Sequence, residues 1–167
     1  TRPTALDCVN YYRSGVQHID LDILLFKKIA SSDAVGNTFI LKSDSQDEFQ
    51  TKAIVISTGY YDTPSPLNVP GEELPHVTHF YRDPLPYFRQ RIVIVGGKNS
   101  AVEAALDLWR HGANVTVVHR GAEMNPGVKY WIMPDFQNRV ADGSITLYLN
   151  ATVTEFRVGE TVIRHQT

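Results

Sequence analysis

The chain has 167 residues, 43% of them hydrophobic and 20% charged. That suits an ordinary soluble globular protein with one full domain or parts of two, and is too short for two complete nucleotide-binding domains. Sixteen Lys and Arg against eighteen Asp and Glu leave a net charge of −2, which argues against a general nucleic-acid binder. The single cysteine, Cys8, excludes an internal disulfide, a C-x-x-C pair and a multi-cysteine zinc site. No apolar run approaches the roughly 20 residues that span a bilayer, so no membrane association is expected. Thr1-Arg2-Pro3-Thr4 lacks the initiator Met, charged n-region and apolar h-region of a signal peptide. It reads as a stretch from inside a longer chain, in the cytoplasm.

Thr4 to about His18 reads as a helix, with Thr4 and Asp7 resembling a capping box and Leu6, Val9 and Tyr12 at helical spacing. Cys8 on that helix is expected to pack as a small hydrophobe. Strands are expected at Leu21 to Ile29, Thr38 to Lys42 and Thr51 to Ser57. The turn-rich stretches Ser31 to Asn37 and Asp44 to Asp47 separate them, giving an antiparallel meander. The apolar run Ala53-Ile54-Val55-Ile56 suits a strand buried on both faces, stopping at Ser57-Thr58-Gly59.

From Tyr60 to Arg89 six prolines disfavour regular structure, and the aromatic content points to an ordered linker wrapping a surface. From Arg91 strand and helix alternate. Ile92 to Val95 is expected as a buried strand, Asn99 to His111 as a helix capped by Gly112, and Val115 to Val118 as a second buried strand. A helix over Pro134 to Ala141, a strand over Ile145 to Leu149 and a hairpin turning over Gly159-Glu160 complete the pattern.

The chemistry concentrates in Ile92-Val93-Ile94-Val95-Gly96-Gly97-Lys98-Asn99-Ser100-Ala101. A strand entering a glycine pair and then a helix is the context of a dinucleotide fingerprint. Gly96 makes the tight turn, small Ala101 and Ala105 let helix and strand approach, and the helix N-terminus receives the pyrophosphate. Asn99 and Ser100 are expected to add side-chain hydrogen bonds to phosphate. Lys98 stands where the second glycine of the pattern belongs. Either Gly97 takes over that role, or the lysine stem lies along the phosphates. His119-Arg120 follows the second strand, with no acid at the strand end to accept from a ribose 2′-hydroxyl. A basic residue there accommodates a 2′-phosphate, so Arg120 is expected to select NADPH, with Lys129 as a second cation. His76, His79, Glu72 and Glu73 read as surface of the proline-rich segment, and no metal site is expected.

At these residues the chain is similar to the thioredoxin reductase class of two-dinucleotide-domain flavoproteins, and more closely to their bacillithiol disulfide reductase branch. The features are Ser57-Thr58-Gly59-Tyr60-Tyr61-Asp62, Tyr87-Phe88-Arg89-Gln90, the run from Gly96 to Trp109, His119-Arg120-Gly121 and Lys129-Tyr130-Trp131. Lysine at position 98 fits that branch. The resemblance implies an α/β fold: a Rossmann-like NAD(P)-binding domain with a parallel sheet and helices, joined to part of an FAD-binding domain. Residues 1–59 would be the partial FAD domain, 60–90 the interdomain linker and 91–167 an NADPH domain incomplete at its C-terminus. Thr58-Gly59 would lie beside the flavin at the hinge. NADPH and FAD are the implied cofactors, and a small-molecule disulfide such as bacillithiol disulfide the implied substrate, in a homo-oligomer. His79-Phe80-Tyr81-Arg82 stands where thioredoxin reductases carry C-x-x-C, so no dithiol relay runs through this domain. The branch's reactive cysteine would lie outside the chain. Two rival readings are a flavin-dependent monooxygenase and a non-enzymatic nucleotide-sensing module.

Overall fold

The computed structural model describes residues 5–59 and 63–165, and the chain separates into two compact units, 1–59 and 60–167. In the first unit, helix α1 (Ala5–Ile19) precedes a three-stranded antiparallel sheet of β1 (Ile29–Val35), β2 (Thr38–Ser43) and β3 (Glu48–Thr51), in that spatial order. The Thr4 cap expected for α1 lies outside the described residues.

Four expectations for this unit are corrected. Leu21 to Lys28 forms no strand, because its backbone finds no ladder among the described residues. Ser31, Ser32 and Asp33 are not a turn. They lie within β1, an outer strand exposed along its whole length, where polar side chains lose no solvation. The two-residue turn at Gly36-Asn37 sets their register, pairing Val35 with Thr38. The run Ala53 to Ile56 is irregular rather than buried strand, with Val55 88% and Ile56 80% exposed. Hydrophobicity alone does not make a strand where no neighbour accepts its backbone hydrogen bonds. Cys8 is likewise exposed, not packed.

The turn between β2 and β3 is held by charge. Lys27 Nζ, Ser45 Oγ and Ser43 Oγ all donate to the Asp47 carboxylate, and the Asp47 amide donates back to the buried Ser43 hydroxyl at 3.0 Å. These donors, Lys27 foremost, lower the Asp47 pKa from 3.8 to about 2.

The second unit contains both hydrophobic clusters of the described residues. β4 (Arg91–Val95), β5 (Asn114–Val118) and β6 (Ile145–Tyr148) form a parallel sheet in the order β4-β5-β6, with α2 (Asn99–Arg110) and α3 (Met133–Ala141) as crossovers. β5 is the central, most buried strand, and Val115 and Val117 are fully enclosed against Val102, Leu106 and Phe136. β4 departs from expectation. It lies at the sheet edge, Ile92 and Ile94 pack on the core, and Val93 and Val95 are 39% and 38% exposed. Successive side chains of a strand point to opposite faces, so Val93 and Val95 lie on the face away from that core, and an apolar run alone does not bury both faces.

β7 (Ala151–Arg157) and β8 (Glu160–His165) form the expected hairpin. It turns over Val158-Gly159, one residue earlier than the sequence suggested, because Arg157 pairs with Glu160. Gly159, the second residue of that turn, sits at positive φ (+79°), a conformation glycine adopts without strain.

The proline-rich segment packs on this unit through specific bonds. Glu72 accepts from the Leu67 and Asn68 amides at 2.8 and 2.7 Å, and His76 Nε2 lies 3.2 Å from the Arg157 carbonyl. Tyr81 Oη donates to Asp107 on α2 at 2.6 Å. Burial and then the adjacent Asp107 carboxylate push the Tyr81 pKa up. These side chains are committed to tying the segment down, and among the described residues no three His, Cys, Asp or Glu gather as a metal site. No described helix is long and apolar enough to cross a membrane.

A depressed carboxylate pKa contributes stability that is complete above the unfolded value of 3.8 and is lost as pH falls through about 2. A carboxyl-carbon NMR titration should therefore place the Asp47 midpoint near 2, and Lys27→Met should raise it. A midpoint at the ordinary aspartate value in the unaltered chain contradicts the charged-turn account.

Candidate dinucleotide site at the β4–α2 turn

The sequence folds this turn by steric subtraction. Gly96 sits at φ +150°, where a side chain is strained, and a β-carbon there would meet Ala101 Cβ at 3.2 Å. The two small residues thus let the start of α2 close on the end of β4. Gly96 is also bonded sideways, its amide donating to the Val118 carbonyl of β5 at 3.0 Å. Gly97 is buried, and an added β-carbon would lie 2.4 to 2.5 Å from three ring atoms of His119. The His119 imidazole therefore occupies the space that the missing side chain leaves. Gly121 likewise leaves room for the ring, since a β-carbon there would meet its Nε2 at 2.8 Å.

Lys98 is the N-cap of α2 and supplies no side-chain cap. Its carbonyl accepts from the Ala101 and Val102 amides at 3.1 and 3.2 Å. The amides of Gly97, Lys98, Asn99 and Ser100 have no hydrogen-bond acceptor among the described residues. Four N–H groups at a helix start carry partial positive charge and form a ready anion cradle. The Lys98 and Arg120 side chains are exposed and make no ion pair with a described residue. Val95 and Val118 are register partners on parallel neighbours, so Lys98 and Arg120 follow the same C-terminal edge of the sheet. That edge is where open α/β sheets take their ligands. The Ser100 hydroxyl is exposed and makes no hydrogen bond with a described residue.

Two sequence-nominated residues are engaged otherwise. Asn99 Nδ2 donates to the Gly127 carbonyl at 3.2 Å, and its Oδ1 accepts from the Lys129 amide at 2.8 Å. Its side chain is directed at the following loop instead of being left open for phosphate. Lys129 Nζ lies 2.7 Å from Glu103 Oε1 on α2, so its charge is shared with a carboxylate. Glu103 and Asn125, whose amide donates to the Gly97 carbonyl at 2.9 Å, were not singled out by sequence reasoning. Asn125-Pro126-Gly127 does carry a legible turn signal, whereas Glu103 is one more polar residue on a helix face. Thr58 and Gly59 lie in the first unit in an irregular, exposed stretch, with Gly59 at φ +68°.

A βαβαβ sheet with a glycine turn at its C-terminal edge defines one mononucleotide-binding half of a doubly wound fold. The chain belongs to the pyridine nucleotide-disulphide oxidoreductase family, whose profile matches residues 1–167. It is 38% identical over 164 residues to the bacilliredoxin reductase Bdr of Bacillus subtilis (strain 168), covering 98% of this chain and 50% of that protein. The structure superposes on the bacillithiol disulfide reductase Bdr of Staphylococcus aureus with a TM-score of 0.86 at 36% identity, covering 98% and 53% of the two chains. A flavin monooxygenase from Stenotrophomonas maltophilia shares the fold alone, at TM-score 0.68 and 16% identity over 92% of this chain and 50% of that one. The chain thus spans about half the length of the relatives it matches.

Because the His119 ring fills the void at Gly97, Gly97→Ala should overpack the turn and lower stability by about 1–3 kcal/mol in urea denaturation. Gly97→Ala combined with His119→Ala should recover most of the Gly97→Ala loss. Simple additivity of the two changes contradicts the packing described.

Proposed function

We propose that the second unit, residues 60–167, is the NADPH-binding portion of an FAD-dependent pyridine nucleotide-disulphide oxidoreductase. The observation that carries this reading is the group of four amides from Gly97 to Ser100 that find no acceptor among the described residues, flanked by Lys98 and Arg120, which make no ion pair with a described residue. The diphosphate sits on those amides, with Lys98 beside it and the Ser100 hydroxyl within the same turn. The 2′-phosphate takes charge-assisted hydrogen bonds from Arg120. His119, packed between Gly97 and Gly121, braces the wall between the two phosphate positions. When bound, NADPH supplies the hydride, and the chain supplies position and phosphate electrostatics.

The residues fit NADPH. They do not by themselves build a flavin site, since Thr58 and Gly59 lie exposed among the described residues of the first unit. FAD enters the reading through family membership. The same support extends to the substrate, a low-molecular-weight disulfide, with bacillithiol disulfide favoured by the S. aureus likeness. The rest of the redox machinery, in that reading, belongs to the half of the reductase that this chain does not span.

Titrating NADPH and NADH against the chain by tryptophan fluorescence tests the proposal. NADPH should bind at least about tenfold more tightly, and Arg120→Ala should remove about 1.5–3 kcal/mol of NADPH affinity while leaving NADH nearly unchanged. Equal affinity for the two nucleotides in the unaltered chain removes Arg120 from its role.

A further inference from the structure

Asn99 occupies a fingerprint position from which a side chain would be expected to touch phosphate, yet both ends of its amide are engaged elsewhere. The partners fix its orientation: the Gly127 carbonyl can only accept and the Lys129 amide can only donate, so Nδ2 faces the former and Oδ1 the latter. One residue at the start of α2 thereby grips two points of the loop that follows β5. Three more contacts stitch the same loop to the same turn. The His119 ring lies over Gly97, the Asn125 amide donates to the Gly97 carbonyl, and Lys129 pairs with Glu103 one helical turn beyond Asn99. Inside the loop, Asn125 Oδ1 accepts from the Gly127 amide at 2.9 Å, so the segment that Asn99 holds is itself pre-shaped.

The loop begins at Arg120 and ends at Lys129. Its N-terminal end is fixed by backbone bonds from the His119 amide to the Tyr148 carbonyl and from the Ala151 amide to the His119 carbonyl. Its C-terminal end has no such strand partner; Asn99 holds it together with the core-buried Val128 side chain, the Lys129–Glu103 pair and the Ile132 amide on the Lys129 carbonyl. We infer that Asn99 is a positioning residue: it latches the 120–129 loop to the diphosphate turn and so sets the cationic wall that discriminates for a 2′-phosphate. This rests on the NADPH reading above and deepens it. A direct phosphate ligand and a latch make opposite predictions. The diphosphate is common to NADPH and NADH, so losing a diphosphate ligand weakens both alike. Losing a latch on the 2′-phosphate side weakens NADPH selectively.

The experiment measures dissociation constants of NADPH and NADH for the full chain, with 2′,5′-ADP and ADP as shorter probes, in Asn99→Ala and in Asn125→Ala. Asn99→Ala should raise the NADPH and 2′,5′-ADP constants about tenfold and change those of NADH and ADP less than about twofold, the loss of two hydrogen bonds' worth of ordering. Asn125→Ala, which leaves Asn99 in place but unshapes the loop, should shift the same ratio in the same direction by a smaller factor. It decides the matter if Asn99→Ala fails to fold. Faster hydrogen exchange at the Lys129 amide should accompany the selective loss. Equal weakening of all four ligands, or no weakening, overturns the latch while leaving the NADPH reading intact. Failure of the unaltered chain to bind NADPH overturns both.

Discussion

With no β-carbon at Gly96 or Gly97, the chain can leave β4, bond to β5 through the Gly96 amide, and enter α2 with Ala101 nearly touching the turn. That close approach constrains everything around it. It commits α2 to run back over β4 and β5, where Val102, Ala105 and Leu106 bury their side chains. It also leaves the first amides of α2 without an acceptor among the described residues, since the strand and turn before them present no carbonyl one helical turn back. The same missing atoms admit the His119 ring, which fastens the end of β5 to the end of β4. A single packing constraint thus produces the sheet crossover, the electropositive helix start and the wall beside it.

The parts of this arrangement that sequence reveals are those governed by local rules. Strand, glycine pair, helix and second strand follow each other at fixed spacing, and each residue type has a local reason to be there. The glycine and small-residue positions were therefore legible, and so was the basic residue after β5. What sequence did not reveal depends on partners far along the chain. Ile54, Val55 and Ile56 have the composition of a buried strand, but among the described residues no strand pairs with them, and they lie exposed. Val93 and Val95 look identical to core residues until the alternation along β4 places them on the face opposite Ile92 and Ile94. Asn99 reads as a phosphate ligand because only the fold brings Gly127 and Lys129 to its two ends.

The proline-rich segment shows the intermediate case. Among its described residues, 63–89, the regular structure is one short 3-10 turn at Leu85–Tyr87. How it is ordered was not legible. Tyr81 reaches Asp107, the Arg89 amide reaches the Gly112 carbonyl, and the Phe156 amide reaches Pro70. These bonds dress α2 and the β7–β8 hairpin with a segment that composition alone would describe as a connector. Burying the Tyr81 ring against the core while satisfying its hydroxyl on a carboxylate avoids the penalty of an unpaired buried polar group.

The central claim is that a diphosphate lies on the amides at the start of α2. Amide chemical-shift mapping of the isotope-labelled full chain during addition of NADP⁺ addresses it residue by residue. The account predicts the largest, saturable shifts at Gly97, Lys98, Asn99 and Ser100, followed by His119 and Arg120. Shifts that cluster in residues 5–59, or that leave the Gly97 to Ser100 amides unmoved at saturation, would contradict it.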